Sequence, residues 1–285
     1  MVDQETQTQR IPLYQYTSAS GLKGIVENQS LWLTHILYQN DTRELYDGLD
    51  LIKRVLDEEY FGLGNDFISD PALVNIYTAS FTEERDLLSQ WRGYCPRGGY
   101  SYELNPELFT PLSMWPNDLV LRKCIYTEAE KIELIKKSIV GVEPQDYRAY
   151  KRRLEAGMTM PHSKEKYRIS ENIYNNIGLM KDDAFREEKE WRLMTHHITR
   201  TPSISFRAMQ RDYKIRISNE KLIPYLEAKF SYVNDEGNTQ RVPNIFKEII
   251  VGPNADPLLA KASCELLVKD PLCKIYNSSI PYKNW

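Results

Sequence analysis

The chain has 285 residues, 37 Lys+Arg against 40 Asp+Glu, a pI near 5.9 and 41% hydrophobic residues. That composition excludes intrinsic disorder, a collagen repeat and a coiled coil, and is the composition of an ordinary globular protein. No run approaches the roughly 18 to 20 consecutive apolar residues of a membrane span, and Met1 to Arg10 is polar, so neither a span nor a signal peptide is expected and the expected compartment is the cytoplasm. Cys95, Cys124, Cys264 and Cys273 are too scattered for a disulfide framework and none has CxxC spacing, so they read as reduced packing residues with no metal assigned to them. The net charge of -3 is uneven: residues 121–230 hold 23 Lys+Arg and 16 Asp+Glu. A basic segment over 145–168, with Tyr147, Tyr150 and Tyr167 among its charges, reads either as a surface for a nucleic-acid or protein target or as a solvated helix face.

In chain order, Ile11 to Thr17 has the period of a strand and Ser18 to Ser20 caps a short helix through Leu22, Ile25 and Val26. Leu31 to Thr34 is strand-like, and a longer helix opens at Asp41 or Thr42 with Leu45, Leu49, Ile52 and Leu56 on one stripe. Val74 to Phe81 is rich in β-formers and runs into a helix start at Thr82, with Leu87, Leu88 and Trp91 on that helix. Gly98-Gly99 turns the chain into a strand over Tyr100 to Leu104, and Leu119 to Tyr126 predicts another. Thr127 and Glu130 have the spacing of a capping box before a helix through Ile132, Ile135 and Ile139. Strands then follow at Glu190 to Thr195, Ser203 to Phe206, Tyr213 to Ile217 and Glu248 to Val251, with a turn at 235–238. Asp256-Pro257 opens a last helix, and Cys273 to Tyr276 closes the chain as a strand. Strands without regular crossover helices predict an α+β fold, a mixed or antiparallel sheet with flanking helices, as a single domain over 1–285 with a helical, basic insertion over 127–181.

No P-loop, GxGxxG, GxSxG or HExxH pattern is present, nor a deaminase HxE with PCxxC. His196 and His197 are adjacent, and on a strand they point to opposite faces, which makes them poor joint metal ligands. The polar residues that remain sit at strand ends: Gln15, Tyr16 and Thr17 on the first, Ser80 and Thr82 on a later one, Glu188 and Glu190 entering a third. In extended backbone Glu188 and Glu190 project to one side. Two carboxylates there raise at least one pKa, which suits proton transfer or charge stabilisation. The plainer reading, which the residues alone favour, is an exposed charged strand with Trp191 in the core and Arg192 paired near Glu190.

The runs LYQYTSASGLKGIVENQSLWLTHILYQNDTRE, ASFTEERDLLSQWRGY, FREEKEWRL, EIIVGPNAD and SSIPYK, in this order, resemble the bacterial family of unknown function DUF2971 from about Leu13 to Lys283. The family's first motif usually reads LYHYT, where this chain has Gln15 in place of the histidine. The opening strand, short helix and strand, followed by Ser80 with Thr82 and then Glu188-Lys189-Glu190, are also similar to the three signature strands of the ADP-ribosyltransferase fold.

That resemblance implies an NAD-using transferase or NAD glycohydrolase, acting as a toxin or phage-defence effector on a protein or nucleic-acid target. It implies Glu190 as the carboxylate beside the ribose, Glu188 on the acceptor side, Ser80 and Thr82 toward nicotinamide, Gln15 on ribose or amide, and Tyr16 or Tyr38 stacked on the ring, with Thr17 beside them. Arg92 reaches a phosphate or pairs with Glu190. Two other classes stay open: a nuclease holding Mg²⁺ with Asp41, Glu44, Glu188 and Glu190, and a nucleotide-binding sensor without catalysis, to which the glutamine at position 15 points.

Overall fold

The computed structural model describes residues 11–39, 43–59, 76–105, 119–140, 152–153, 155–158, 172–195, 213–218, 220–233, 239–242, 244–253 and 256–281. Asp41, His196-His197, the strand expected at Ser203 to Phe206, the turn at 235–238 and nearly all of the basic 145–168 segment lie outside these residues. Of that segment, Arg152 and Arg153 are described, and both are exposed.

The strands are β1 (Tyr14–Thr17), β2 (Ser30–His35), β3 (Tyr77–Thr82), β4 (Tyr100–Leu104), β5 (Leu119–Lys123), β6 (Glu190–Thr195), β7 (Lys214–Ser218), β8 (Lys221–Lys229), β9 (Ser231–Val233), β10 (Thr239–Arg241), β11 (Phe246–Val251) and β12 (Lys274–Asn277). The α-helices are α1 (Ala19–Asn28), α2 (Arg43–Glu59), α3 (Leu88–Tyr94), α4 (Glu128–Val140) and α5 (Pro257–Val268). This is the expected α+β architecture: one large, mostly antiparallel sheet flanked by helices, with β12 beside β11 as its parallel pair.

The sheet forks at β3. One edge of β3 is taken from Thr78 to Thr82 by β6. A strand has only two edges, so β1 and β2 must share the other. β2 holds its N-terminal end through Thr34↔Thr78 and His35↔Tyr77, while β1 meets only its C-terminal end, through Tyr14↔Thr82. Two leaves diverge from there, β1-β4-β11-β12 and β2-β8-β7. Gln15 bridges the parting: its Nε2 donates to the Ser80 carbonyl at 3.1 Å and its Oε1 accepts from the Tyr102 hydroxyl.

Core packing follows the faces of the sheet. On one side Leu45, Leu49, Ile52 and Leu56 of α2, the predicted stripe, meet Ile135 of α4 and Ile173, Tyr174, Ile177 and Met180. The described parts of the 127–181 segment therefore contribute core residues. On the other side Tyr77, Ala79, Phe81, Tyr102, Leu193 and Ile249 are covered by Leu22 of α1 and Cys264 of α5. Burial pushes the thiols of Cys95, Cys124, Cys264 and Cys273 up to between about 11 and about 12, as packing thiols behave.

The capping signals read from the sequence operate. Thr127 Oγ1 accepts from Glu130 N and Glu130 Oε2 accepts from Thr127 N, both at 3.2 Å, and Asp256 Oδ1 accepts from Leu259 N. Thr82 differs from expectation: it ends β3, and α3 begins only at Leu88. Strand β8 carries Pro224 at its middle, a residue that speaks against a strand within a sheet. It pairs there with Ile215 of the outermost strand β7.

Trp91 of α3 packs on Tyr16, ring centroids 4.5 Å apart, and closes against the backbone of Gly252. A methyl at Gly252 would lie 2.6 Å from the Trp91 ring. Gly252→Ala should lower stability by about 1–3 kcal/mol through overpacking, read from the denaturant midpoint; an unchanged midpoint would show that the ring moves aside freely.

Candidate functional site

A cleft opens beside the fork, between β1, the end of β3, α3 and the entry to β6. Tyr14, Gln15, Tyr16, Ser80, Phe81, Thr82, Gln90, Tyr94, Glu188 and Glu190 line about 400 Å³ of space that includes its open mouth. Register explains the grouping. Tyr14 pairs with Thr82 and Thr82 with Glu190, and residues directly opposite one another on neighbouring strands share a face.

Six of the residues singled out from the sequence, Gln15, Tyr16, Ser80, Thr82, Glu188 and Glu190, meet here. Thr17, Tyr38 and Arg92 do not line the cleft. Thr17 closes β1, where its carbonyl accepts from the Cys95 thiol. Tyr38 lies in a 3-10 turn, 41% exposed, with its ring against His35. Arg92 is exposed on α3.

The two glutamates do not meet through strand alternation. Asp183–Glu188 is a 3-10 turn that ends at Lys189 in the left-handed region, φ 41°, and β6 starts only at Glu190. A non-glycine residue is uncommon there, and the turn is fixed by Thr82, whose hydroxyl donates to the Glu188 carbonyl at 2.6 Å. The two carboxylates converge because the reversal folds Glu188 back toward Lys181.

Around Lys181 lies a buried ion cluster. Its Nζ is 2.5 Å from Glu190 Oε2, 3.0 Å from Glu188 Oε2 and 3.5 Å from Glu44 Oε1. Arg192 Nε donates to Glu190 Oε1 at 2.8 Å, its Nη2 to Glu44 Oε2 at 2.8 Å and its Nη1 to the Gly178 carbonyl at 2.7 Å. Lys181 is set by backbone bonds, its N–H donating to the Ile125 carbonyl while Ile125 N donates to Leu179 O. Three carboxylates thus face two cations.

Their environments split the glutamates. Burial alone would raise the Glu190 carboxyl, but Arg192 and Lys181 more than offset it and hold it down at about 2. Glu188 is raised: burial dominates, Lys181 offsets part of it, and the Glu190 and Glu44 charges push the same way as burial. Carboxylates driven apart in this way take different roles. Both oxygens of Glu190 are engaged by cations, whereas Glu188 meets Lys181 through Oε2.

The place where a divalent ion would bridge Glu44, Glu188 and Glu190 is filled by the Lys181 ammonium and the Arg192 guanidinium. No group of three or more ligating side chains arranged to hold a metal occurs among the described residues. Gln15 is likewise engaged at both ends of its amide, and register puts it beside Tyr102, on the face opposite Tyr14 and Tyr16. Tyr16 donates to the Glu84 carbonyl and accepts from Leu87 N, so its hydroxyl anchors the start of α3.

Sequence reasoning missed Lys181, Gln90 and Tyr94. Nothing in the spacing marks Lys181, nine residues before Glu190. For α3 the signal was present: residues four apart share a helix face, which joins Gln90 to Tyr94, while Arg92 is rotated by about 200° from Gln90.

No helix among the described residues is long and apolar enough to cross a membrane. No curated protein and no solved structure gives a significant match to the chain. The matched family model covers α3 from Gln90 onward, β4, β5 and the two glutamates but stops short of β1, Ser80 and Thr82. The chain resembles the family described as Protein of unknown function (DUF2971), whose model matches residues 90–193.

Proposed function

We propose that the cleft binds the nicotinamide-ribose end of NAD and breaks the bond between them, with β1, β3 and β6 arranged as in an ADP-ribosyltransferase. The observation that carries this reading is the convergence of Tyr16, Ser80, Thr82 and Glu188 on one cleft at the fork of the sheet. As the C1'–N bond breaks, nicotinamide leaves with the bonding electrons and positive charge develops on the ribose, which a carboxylate at the site stabilises. Glu188 takes that role, because Lys181 and Arg192 already neutralise Glu190. Water, or a hydroxyl of a target, forms the new bond to C1' and gives its proton to Glu188. Glu190 positions Lys181, and through it Glu188. A transferase of this kind acting on a cellular target is the effector role that the family resemblance implies.

The test is nicotinamide release from NAD by the intact protein. Glu188→Gln should reduce release by about 100-fold or more while the melting temperature stays near wild type. Because the carboxylate form acts and its pKa is raised, wild-type activity should climb with pH along a limb above the ordinary glutamate value of 4.5. Wild-type protein that releases no nicotinamide, with or without cell extract as acceptor, overturns the proposal, as does an unimpaired Glu188→Gln.

A further inference from the structure

Helix α3 places a side chain in the cleft that the chemistry above leaves unused. Gln90 is 6% exposed and lines the cleft, yet its amide makes no hydrogen bond to any of the described residues. The amide is not among the buried polar atoms that lack a partner, so it faces the open space of the cleft, where a ligand can reach both its donor and its acceptor. The helix cannot easily turn Gln90 elsewhere. Next to it Trp91 is 2% exposed and donates from Nε1 to Asp86 at 2.7 Å, and Tyr16 fixes the start of the helix at Leu87.

A primary amide shows an acceptor and a donor side by side. Its complement is another such edge, joined through two parallel hydrogen bonds. A carboxylate lacks the donor and a methyl group lacks both. Tyr94, one turn along on the same face, borders the same space with a flat ring. We infer that Gln90 is the specificity-determining residue of the cleft and selects a ligand that carries a primary carboxamide on a planar ring. This deepens the NAD reading and rests on it: the carboxamide is that of the nicotinamide, and Gln90 orients the leaving group. The adenine end of NAD offers a related donor-acceptor edge, so the test separates the two.

The full-length protein is titrated with nicotinamide, nicotinic acid, 3-methylpyridine and adenosine, and binding is followed by ligand-observed NMR. Nicotinamide should bind about 10- to 100-fold more tightly than 3-methylpyridine. Gln90→Met should abolish that preference while leaving 3-methylpyridine binding unchanged, and Gln90→Glu should weaken nicotinamide through loss of the donor. Thermal melts establish that both variants fold, and if the methionine variant does not, the glutamate variant decides. Three results overturn the inference: no binding of nicotinamide, a preference that survives both substitutions, or loss of affinity for adenosine alone. Nicotinamide selected through Gln90 by a protein that never turns over NAD would sink the catalytic proposal and leave this one standing.

Discussion

Lys181→Met is expected to destabilise the protein by about 3–5 kcal/mol at neutral pH, the usual cost of removing one partner from a buried ion cluster. The residue is 6% exposed and lies within 3.5 Å of three carboxylates. Methionine keeps much of the length and removes the charge, so Glu44, Glu188 and Glu190 would face Arg192 alone. The folded-state pKa values of Glu188 and Glu190, which Lys181 lowers in the wild type, would then rise, the folded variant would hold more protons in mild acid than the wild-type fold does, and part of the lost stability would return as pH falls. In the wild-type protein Glu190 contributes with the opposite sign. Its carboxyl is held at about 2 against an ordinary 4.5, so its stabilisation is complete above about 4.5 and is lost as pH falls toward 2. Urea unfolding at pH 7 and pH 4.5 checks both statements. The difference between variant and wild type should shrink at the lower pH, and a gap that is constant or widens would show that charge is not what Lys181 supplies.

Asp86→Ala is expected to cost about 2–4 kcal/mol, from hydrogen bonds to a charged acceptor that do not add fully. Asp86 Oδ1 accepts from Trp91 Nε1 and Ser278 Oγ, each at 2.7 Å, and Oδ2 accepts from Ser279 N at 2.8 Å and Ser279 Oγ at 3.0 Å. One carboxylate therefore ties α3 to the segment after β12. Burial alone would raise its pKa, but these four bonds outweigh burial and lower it. Its contribution is present above the ordinary aspartate value and disappears as pH falls through the depressed one. Equilibrium unfolding measures the cost, and hydrogen exchange should show faster exchange at Ser279 and Ile280. A variant with wild-type stability would mean that the segment is held by other contacts.

Much of this fold was legible because local rules set it. The α2 stripe, the capping box at Thr127, the Asp256-Pro257 start of α5 and most strands follow from period and terminal chemistry. Strand β8 was not legible, because Pro224 argues against it locally and only its place between β2 and β7 overrides that. Part of the site was legible as well, since polar residues at strand ends are few. Which glutamate is available was not. That depends on Lys181, which reaches Glu190 through tertiary packing, and on the left-handed residue at Lys189, which defeats the alternation from which both carboxylates were placed on one face.

Gln15 shows the same limit. Set against LYHYT, the glutamine pointed to a nucleotide-binding sensor without catalysis, yet it joins one donor and one acceptor to Ser80 and Tyr102. A neutral histidine also has one donor and one acceptor, so either residue fits the task of a bridge.

The fork gives that bridge a mechanical meaning. Across most of the sheet, neighbouring strands are laced by several successive residue pairs, but β1 and β3 share a single pair, Tyr14 with Thr82. The seam between the two leaves is therefore fastened by one rung and one side-chain clasp, and the cleft opens beside it. A body wedged into the cleft would pull on this thin stitching, and the residue at position 15 is one of the ties that resist its widening.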